Sequence, residues 1–179
     1  SIAGAAVVFA LSRVVPLQKA LDATAFDARH AAGAIPRDQY LARFGGQRRT
    51  DKHVPAAVVR LGQYLADHSA PSDTVFVFGF AQGALVQSGR RSASRFFWSR
   101  PLVVGFNDGR PGYGASGLLD ELRMANPAVV ALQMNDWQLE DTDSAGYFLS
   151  HPELVACLHA GFIRQPDQDS FQIWLRRPS

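Results

Sequence analysis

The clearest hydrophobic pattern in the chain is a five-residue run from Thr74 to Phe78, TVFVF, built of β-branched and aromatic residues without a charge. A run that is apolar on both faces predicts a central strand in a sheet covered on both sides. Ala128 to Met134, AVVALQM, repeats the pattern and predicts another strand. Arg95 to Trp98 reads as a further strand. Phe162-Ile163 and Phe171 to Arg176 read as a closing hairpin joined across Gln165 to Ser170.

Between these runs the period lengthens. Val58, Leu61 and Leu65 recur at three- and four-residue steps, so Val54 to His68 is predicted as an amphipathic helix. Shorter helices are predicted for Ala81 to Ser88 and for Leu118 to Ala125, the latter stopping before Pro127. Tyr147 to Leu149 belongs to a short helix. Ser150 then reads as the cap of a helix reaching about His159, with Pro152 in its first turn and Glu153 three residues after the cap. Tyr40, Leu41 and Phe44 give Asp38 to Phe44 helical spacing. At the N-terminus the apolar run Ile2 to Leu11 is followed by a break at Val14-Val15-Pro16 and a second helical stretch, Leu17 to His30. Gln47 to Lys52 is a polar, basic loop. Gly105 to Gly117, with five glycines and Pro111, is a long loop. Strands alternating with helices predict an α/β layered domain with a mixed, partly parallel central sheet flanked by helices. Residues 1–30 form an N-terminal helical segment ahead of a single α/β domain, 31–179.

Composition narrows the function classes. A chain of 179 residues with 47% hydrophobic and 19% charged positions builds an ordinary core. Its net charge of +2 is too mild for a dedicated nucleic-acid binder. The single cysteine, Cys157, excludes an intramolecular disulfide and a zinc site of several thiolates. Among the cations, Lys19 and Lys52 are the only lysines and all others are arginine, the side chain suited to bidentate phosphate or carboxylate contacts. A GC-rich coding sequence produces the same bias. Ile2 to Leu11 is half the length of a spanning helix. It reads either as an ordinary core helix or as the last turns of a membrane span.

Several familiar motifs fail on particular atoms. Strand, Gly79-Phe80-Ala81-Gln82-Gly83, helix has the layout of a nucleophile elbow, yet the central position is Ala81, which carries no nucleophile. Neither a G-x-G-x-x-G after the strand nor a P-loop lysine is present, so no cofactor is expected. Asp141-Thr142-Asp143 is a D-x-D triplet. In a free-standing sugar-nucleotide enzyme, Asp141 and Asp143 would hold a divalent metal against a phosphate; the ordinary reading is a solvated acidic loop, and no metal is expected. The five histidines form neither H-x-x-x-H nor H-E-x-x-H.

Two segments hold candidate ligand contacts. Arg90, Arg91 and Arg95 lead into Phe96-Phe97-Trp98, and guanidinium groups beside aromatics suit a phosphate or a sugar ring. The structural alternative is an arginine bound to Asp136 or to a backbone carbonyl. Asn135-Asp136-Trp137 leaves the strand 128–134 at its carboxyl end, where ligands of open α/β sheets collect; Asx residues are also ordinary turn formers there.

The stretch Asp73 to Phe96 resembles the soluble C-terminal region of polytopic GT-C glycosyltransferases, the bacterial relatives of protein O-mannosyltransferases and of lipid A aminoarabinose transferases. Gly79, Phe80, Gly89, Arg90, Arg91, Ser94, Arg95 and Phe96 fit its layout of strand, aromatic-Gly-aromatic, short helix, Gly-Arg and Ser-Arg-aromatic. The helix Val54 to His68, Asn126-Pro127-Ala128, Asn135-Asp136-Trp137, Pro152-Glu153-Leu154 and the closing strand to Arg177 correspond too. Ala81, Gln82 and Leu85 depart from it, where such domains often carry an acidic residue, a proline and an aromatic. The resemblance implies a non-catalytic extracytoplasmic (periplasmic) domain of an integral membrane enzyme that uses a polyprenyl-phosphate-linked sugar. Its catalytic acid would lie in an earlier loop, and Ile2 to Leu11 would be the stump of the last span. The implied partners are the transmembrane part of the same protein and the lipid-phosphate sugar headgroup, with no nucleic acid. Arg90, Arg91 and Arg95 would contact the anion, with Asn135, Asp136 and Trp137 as polar and stacking partners. A periplasmic domain that binds a protein partner is a further alternative.

Overall fold

A computed structural model describes residues 2–45, 54–136 and 141–178, with side chains from residue 17 onward. The predicted basic loop Gln47 to Lys52 and Trp137 lie outside the described residues. The strands are β1 (Thr74–Phe78), β2 (Arg91–Ser92), β3 (Val129–Gln133), β4 (Phe162–Arg164) and β5 (Phe171–Arg176). They form one five-stranded sheet in the order β2-β1-β3-β5-β4. β1 runs parallel to β2 and β3, whereas β5 is antiparallel to β3 and β4. The fold is therefore an α/β layered domain with a mixed sheet, as the alternation of periods predicted.

The helices are α1 (Ile2–Ala31), α2 (Arg37–Ala42), α3 (Pro55–Asp67), α4 (Gly83–Ser88), α5 (Arg100–Val103), α6 (Gly114–Ala125), α7 (Ser144–Leu149) and α8 (Pro152–Gly161). Side chains of a strand alternate between the two faces of its sheet. Phe76, Phe78, Val130, Leu132 and Trp174 accordingly pack against Leu118 and Leu122 of α6, Phe148 of α7 and Leu154 and Leu158 of α8. Val75, Val77, Val129, Ala131 and Ile173 pack on the other face against Leu61 and Leu65 of α3 and Ala84 of α4. Each fully buried Leu or Phe contributes about 1.5–3 kcal/mol by leaving water, which is why β1 and β3 are apolar at every position but Thr74 at the start of β1 and Gln133 at the end of β3. α1 and α2 join outside this sandwich, where Tyr40 stacks on His30 with centroids 4.1 Å apart and Arg43 pairs with Asp27 at 2.8 Å.

Four local expectations change. No break occurs at Val14-Val15-Pro16: α1 runs through Pro16. A proline removes one helical hydrogen bond, and the good helix formers Leu17, Gln18, Lys19 and Ala20 that follow it continue the helix. No helix among the described residues is long and apolar enough to cross a membrane. The second strand is Arg91–Ser92 rather than Arg95 to Trp98. There the Ser92 hydroxyl donates to Ser94 O at 2.7 Å, and Phe96 N–H donates to Ser94 Oγ at 2.9 Å. Such local bonds replace the ladder of a longer strand.

The glycine-rich segment is shorter than predicted, since α5 precedes it and α6 already begins at Gly114. The loop folds so tightly on the first turn of α6 that a Cβ at Gly117 would overlap the Gly112 carbonyl. Ser150 does not cap α8. It is instead the C-cap that follows Leu149 of α7, where its hydroxyl donates to Tyr147 O at 2.7 Å. The N-cap position of α8 belongs to His151, because only two residues separate these helices and the preceding one claims Ser150.

Candidate functional site

The carboxyl ends of β1 and β3 lie side by side, and the groups leaving them bind one another. β1 turns at Gly79, whose φ of +153° favours glycine and whose absent Cβ leaves room for the Gln133 side chain. Gln133 Oε1 then accepts the Phe80 N–H at 2.7 Å, which ties the exit of β1 to the last residue of β3. Asn135 takes a left-handed turn with φ of +56°. That turn delivers Asp136 into the interior. Its Oδ1 accepts the Ser144 N–H at 2.8 Å and its Oδ2 accepts the Ser144 hydroxyl at 2.7 Å. Ser144 Oγ is also 2.7 Å from Ser99 Oγ, immediately before α5. Asp136, Ser144 and Ser99 are all buried. This knot pins the exit of β3, the start of α7 and the start of α5 to one point.

Asp143 is the N-cap of α7. Its Oδ1 accepts the Gly146 N–H at 2.6 Å and its Oδ2 accepts the Asn135 N–H at 2.7 Å. Both oxygens of this half of the D-x-D triplet thus hold backbone donors. Among the described residues no group of three or more His, Cys, Asp or Glu side chains is placed to hold a metal ion. Tyr147 of α7 lies against Phe78 and beside the tilted ring of His151. Burial pushes its hydroxyl up to about 12, helped by the negative charges of Asp108 and Glu153. Burial also pushes the Cys157 thiol up, which makes it a poor nucleophile.

The arginines lie elsewhere. Arg91 pairs in register with Thr74, at the amino end of β1, so Arg90 and Arg91 sit at the opposite end of that strand from Gly79. The Arg90 guanidinium donates to Ala66 O at 3.0 Å, Ser69 O at 2.8 Å, Ser88 O at 3.0 Å and Ser69 Oγ at 2.9 Å. It closes the C-terminus of α3. Arg95 pairs with Glu121 of α6 at 2.8 Å, donates to the Gly112 carbonyl and covers the rings of Phe96 and Tyr113. Ser94 Oγ donates to the other Glu121 oxygen at 2.6 Å. Arg91 is exposed, and its side chain has no hydrogen bond or ion pair among the described residues.

The five described candidate residues therefore do not converge. Asn135 and Asp136 sit at the carboxyl end, Arg90 and Arg91 at the amino end, and Arg95 on the α6 face; Trp137 is outside the described residues. Sequence reasoning missed Glu121, Ser144 and Ser99. Glu121 is 26 positions from Arg95, and no local period marks such a pair. It also missed the open clefts at the amino ends of the parallel strands. One, of about 600 Å³, is lined by Asn126, Gly161, Arg176, Arg177 and Pro178. Another, of about 430 Å³, lies over Asp67 to Ala70, Asp73 and Arg176. Arg176 donates to Asn126 O at 2.7 Å and pairs with Asp73 at 3.2 Å. Ala70 N–H and then Arg176 hold the Asp73 carboxyl below its ordinary range. No protein family, no characterised protein and no solved structure matches the chain.

Proposed function

We propose that the chain is a non-catalytic extracytoplasmic domain of a membrane glycosyltransferase that uses a polyprenyl-phosphate-linked sugar, and that it assists acceptor or headgroup binding. The observation that carries the non-catalytic part is the state of the polar groups at the carboxyl ends of β1 and β3. Asp136, Asp143 and Ser144, the residues a self-sufficient enzyme of this fold would place toward substrate, direct their bonds to one another and to backbone N–H groups. The motif residues behind the resemblance act as framework: Gly79 and Phe80 at the β1 exit, Arg90 beneath α3, Ser94 and Arg95 on Glu121. Arg91 is the member left to meet an anion.

A short-chain isoprenyl monophosphate titrated into the chain tests this reading. The expected result is saturable binding that Arg91→Ala weakens at least about tenfold, the loss of one charge-assisted contact. Absence of binding, or binding that Arg91→Ala and Arg95→Ala leave unchanged, overturns it. Heat on titration with manganese, lost in Asp141→Ala, replaces it with a metal-assisted soluble enzyme.

A further inference from the structure

The segment between Arg95 and α6 presents four large apolar side chains to solvent within ten residues. Phe97 is 55% exposed, Trp98 42%, Val104 48% and Phe106 61%. They are not loose ends. Ser99, Leu102 and Val103, which lie between them along the chain, are buried. Ser99 joins the buried Ser144–Asp136 knot, Phe106 N–H donates to Pro101 O at 2.8 Å, and the Trp98 ring lies 6.0 Å from that of Phe80. A rigid base thus holds an apolar rim outward, against the ordinary tendency to bury such groups.

The formal charge beside the rim is weakly positive. From Arg95 to Tyr113 the chain carries Arg95, Arg100 and Arg110 against the single carboxylate Asp108; Glu121 of α6 faces Arg95. Arg110 is exposed. With aromatic side chains of roughly 150–250 Å² each, the exposed fractions amount to roughly 400 Å² of apolar surface. That is half of the roughly 800 Å² each partner contributes to a stable protein interface. A lipid surface demands no matching shape, and aromatic rings flanked by arginine suit the headgroup region.

We infer that the Phe97–Phe106 rim seats on an anionic bilayer surface, with Trp98 at headgroup depth and Arg110 against lipid phosphate. This contact needs no glycosyl carrier, so it stands or falls separately from the sugar-transfer reading. The test is flotation of the 179-residue chain with vesicles of phosphatidylglycerol and phosphatidylcholine, and with phosphatidylcholine alone. The expected result is binding to the anionic vesicles that Phe97→Ser/Trp98→Ser/Phe106→Ser lowers at least about tenfold and Arg110→Gln lowers up to about fivefold. Brominated lipid should quench a fluorescence component that Trp98→Phe removes. The apolar run 2–11 is common to all these chains, so their differences report the rim. Equal binding by the triple variant, an unquenched Trp98, or a dimer in solution that the triple variant abolishes each overturns the inference, the last in favour of a protein partner. Unchanged circular dichroism of the variants confirms that folding is not the cause.

Discussion

The two ends of the parallel strands handle their polar groups in opposite ways. At the amino ends of β1 and β3, arginines meet carbonyl oxygens: Arg90 on Ala66 and Ser69 at the close of α3, and Arg176 on Asn126 at the close of α6. Arg177 does the same for His159 in α8. At the carboxyl ends, acceptors meet N–H groups: Gln133 on Phe80, Asp136 on Ser144, Asp143 on Gly146. Helices α3 and α6 run into the strands that follow them, so their carbonyl ends gather at one edge, while α7 starts its N–H groups at the other. Helix ends leave unpaired groups and carry opposite partial charges. Part of the arginine excess thus serves helix ends, and a cation near a sheet edge is a ligand candidate only after the carbonyls have been satisfied.

The sharpest way to break this comparison is at the buried knot. Asp136→Ala strands the Ser144 N–H and hydroxyl in the interior, at an expected cost of about 2–4 kcal/mol, read as the shift of the urea midpoint; a change within error would move the knot out of the framework. At the other end, Arg90→Ala should cost about 2–3 kcal/mol by leaving part-buried carbonyls of α3 unmet. Arg90→Lys should recover little, since an ammonium cannot span four acceptors. Asp143→Ala removes a helix cap, with an expected loss of about 1 kcal/mol in the same measurement. A loss of manganese binding without a loss of stability would mark it as a ligand instead.

Alkaline titration gives a smaller effect. Tyr147 ionises later in the folded chain than in the unfolded one, so its contribution is complete below about 10, the ordinary tyrosine value, and declines as the pH rises toward about 12. Tyr147→Phe should flatten the stability profile in that window; an identical slope in both proteins would show the burial to be overstated. Smallest of all, Arg91→Ala should change stability by no more than about 0.5 kcal/mol. A larger loss would make Arg91 a framework residue like its neighbour and remove it from any anion site.

Much of the fold was legible from patterns that depend on neighbours in sequence. The buried runs of β1 and β3 reveal themselves because strands covered on both faces are apolar almost throughout, and α3 because its apolar stripe repeats at the helical step. The misread places are those where a distant group intervenes. Arg95 to Phe96 leaves the extended path because Ser94 and Arg95 bind Glu121, and α6 starts early because the loop folds closely onto Gly117. The candidate site suffered in the same way, as Arg90 and Asp136 are both visible as polar residues near strand ends, but their partners are not.

Sequence alone determined the layered α/β architecture, since the alternation of two periods and the length of the apolar runs admit few other ways to bury them. Only the tertiary structure decided which charges are committed and which are free. Hydrogen-bond partners such as Arg90 with Ser69, Asp136 with Ser144 and Arg95 with Glu121 are brought together by the sheet order and the helix directions, and those are set by packing of the whole chain rather than by any local stretch of it.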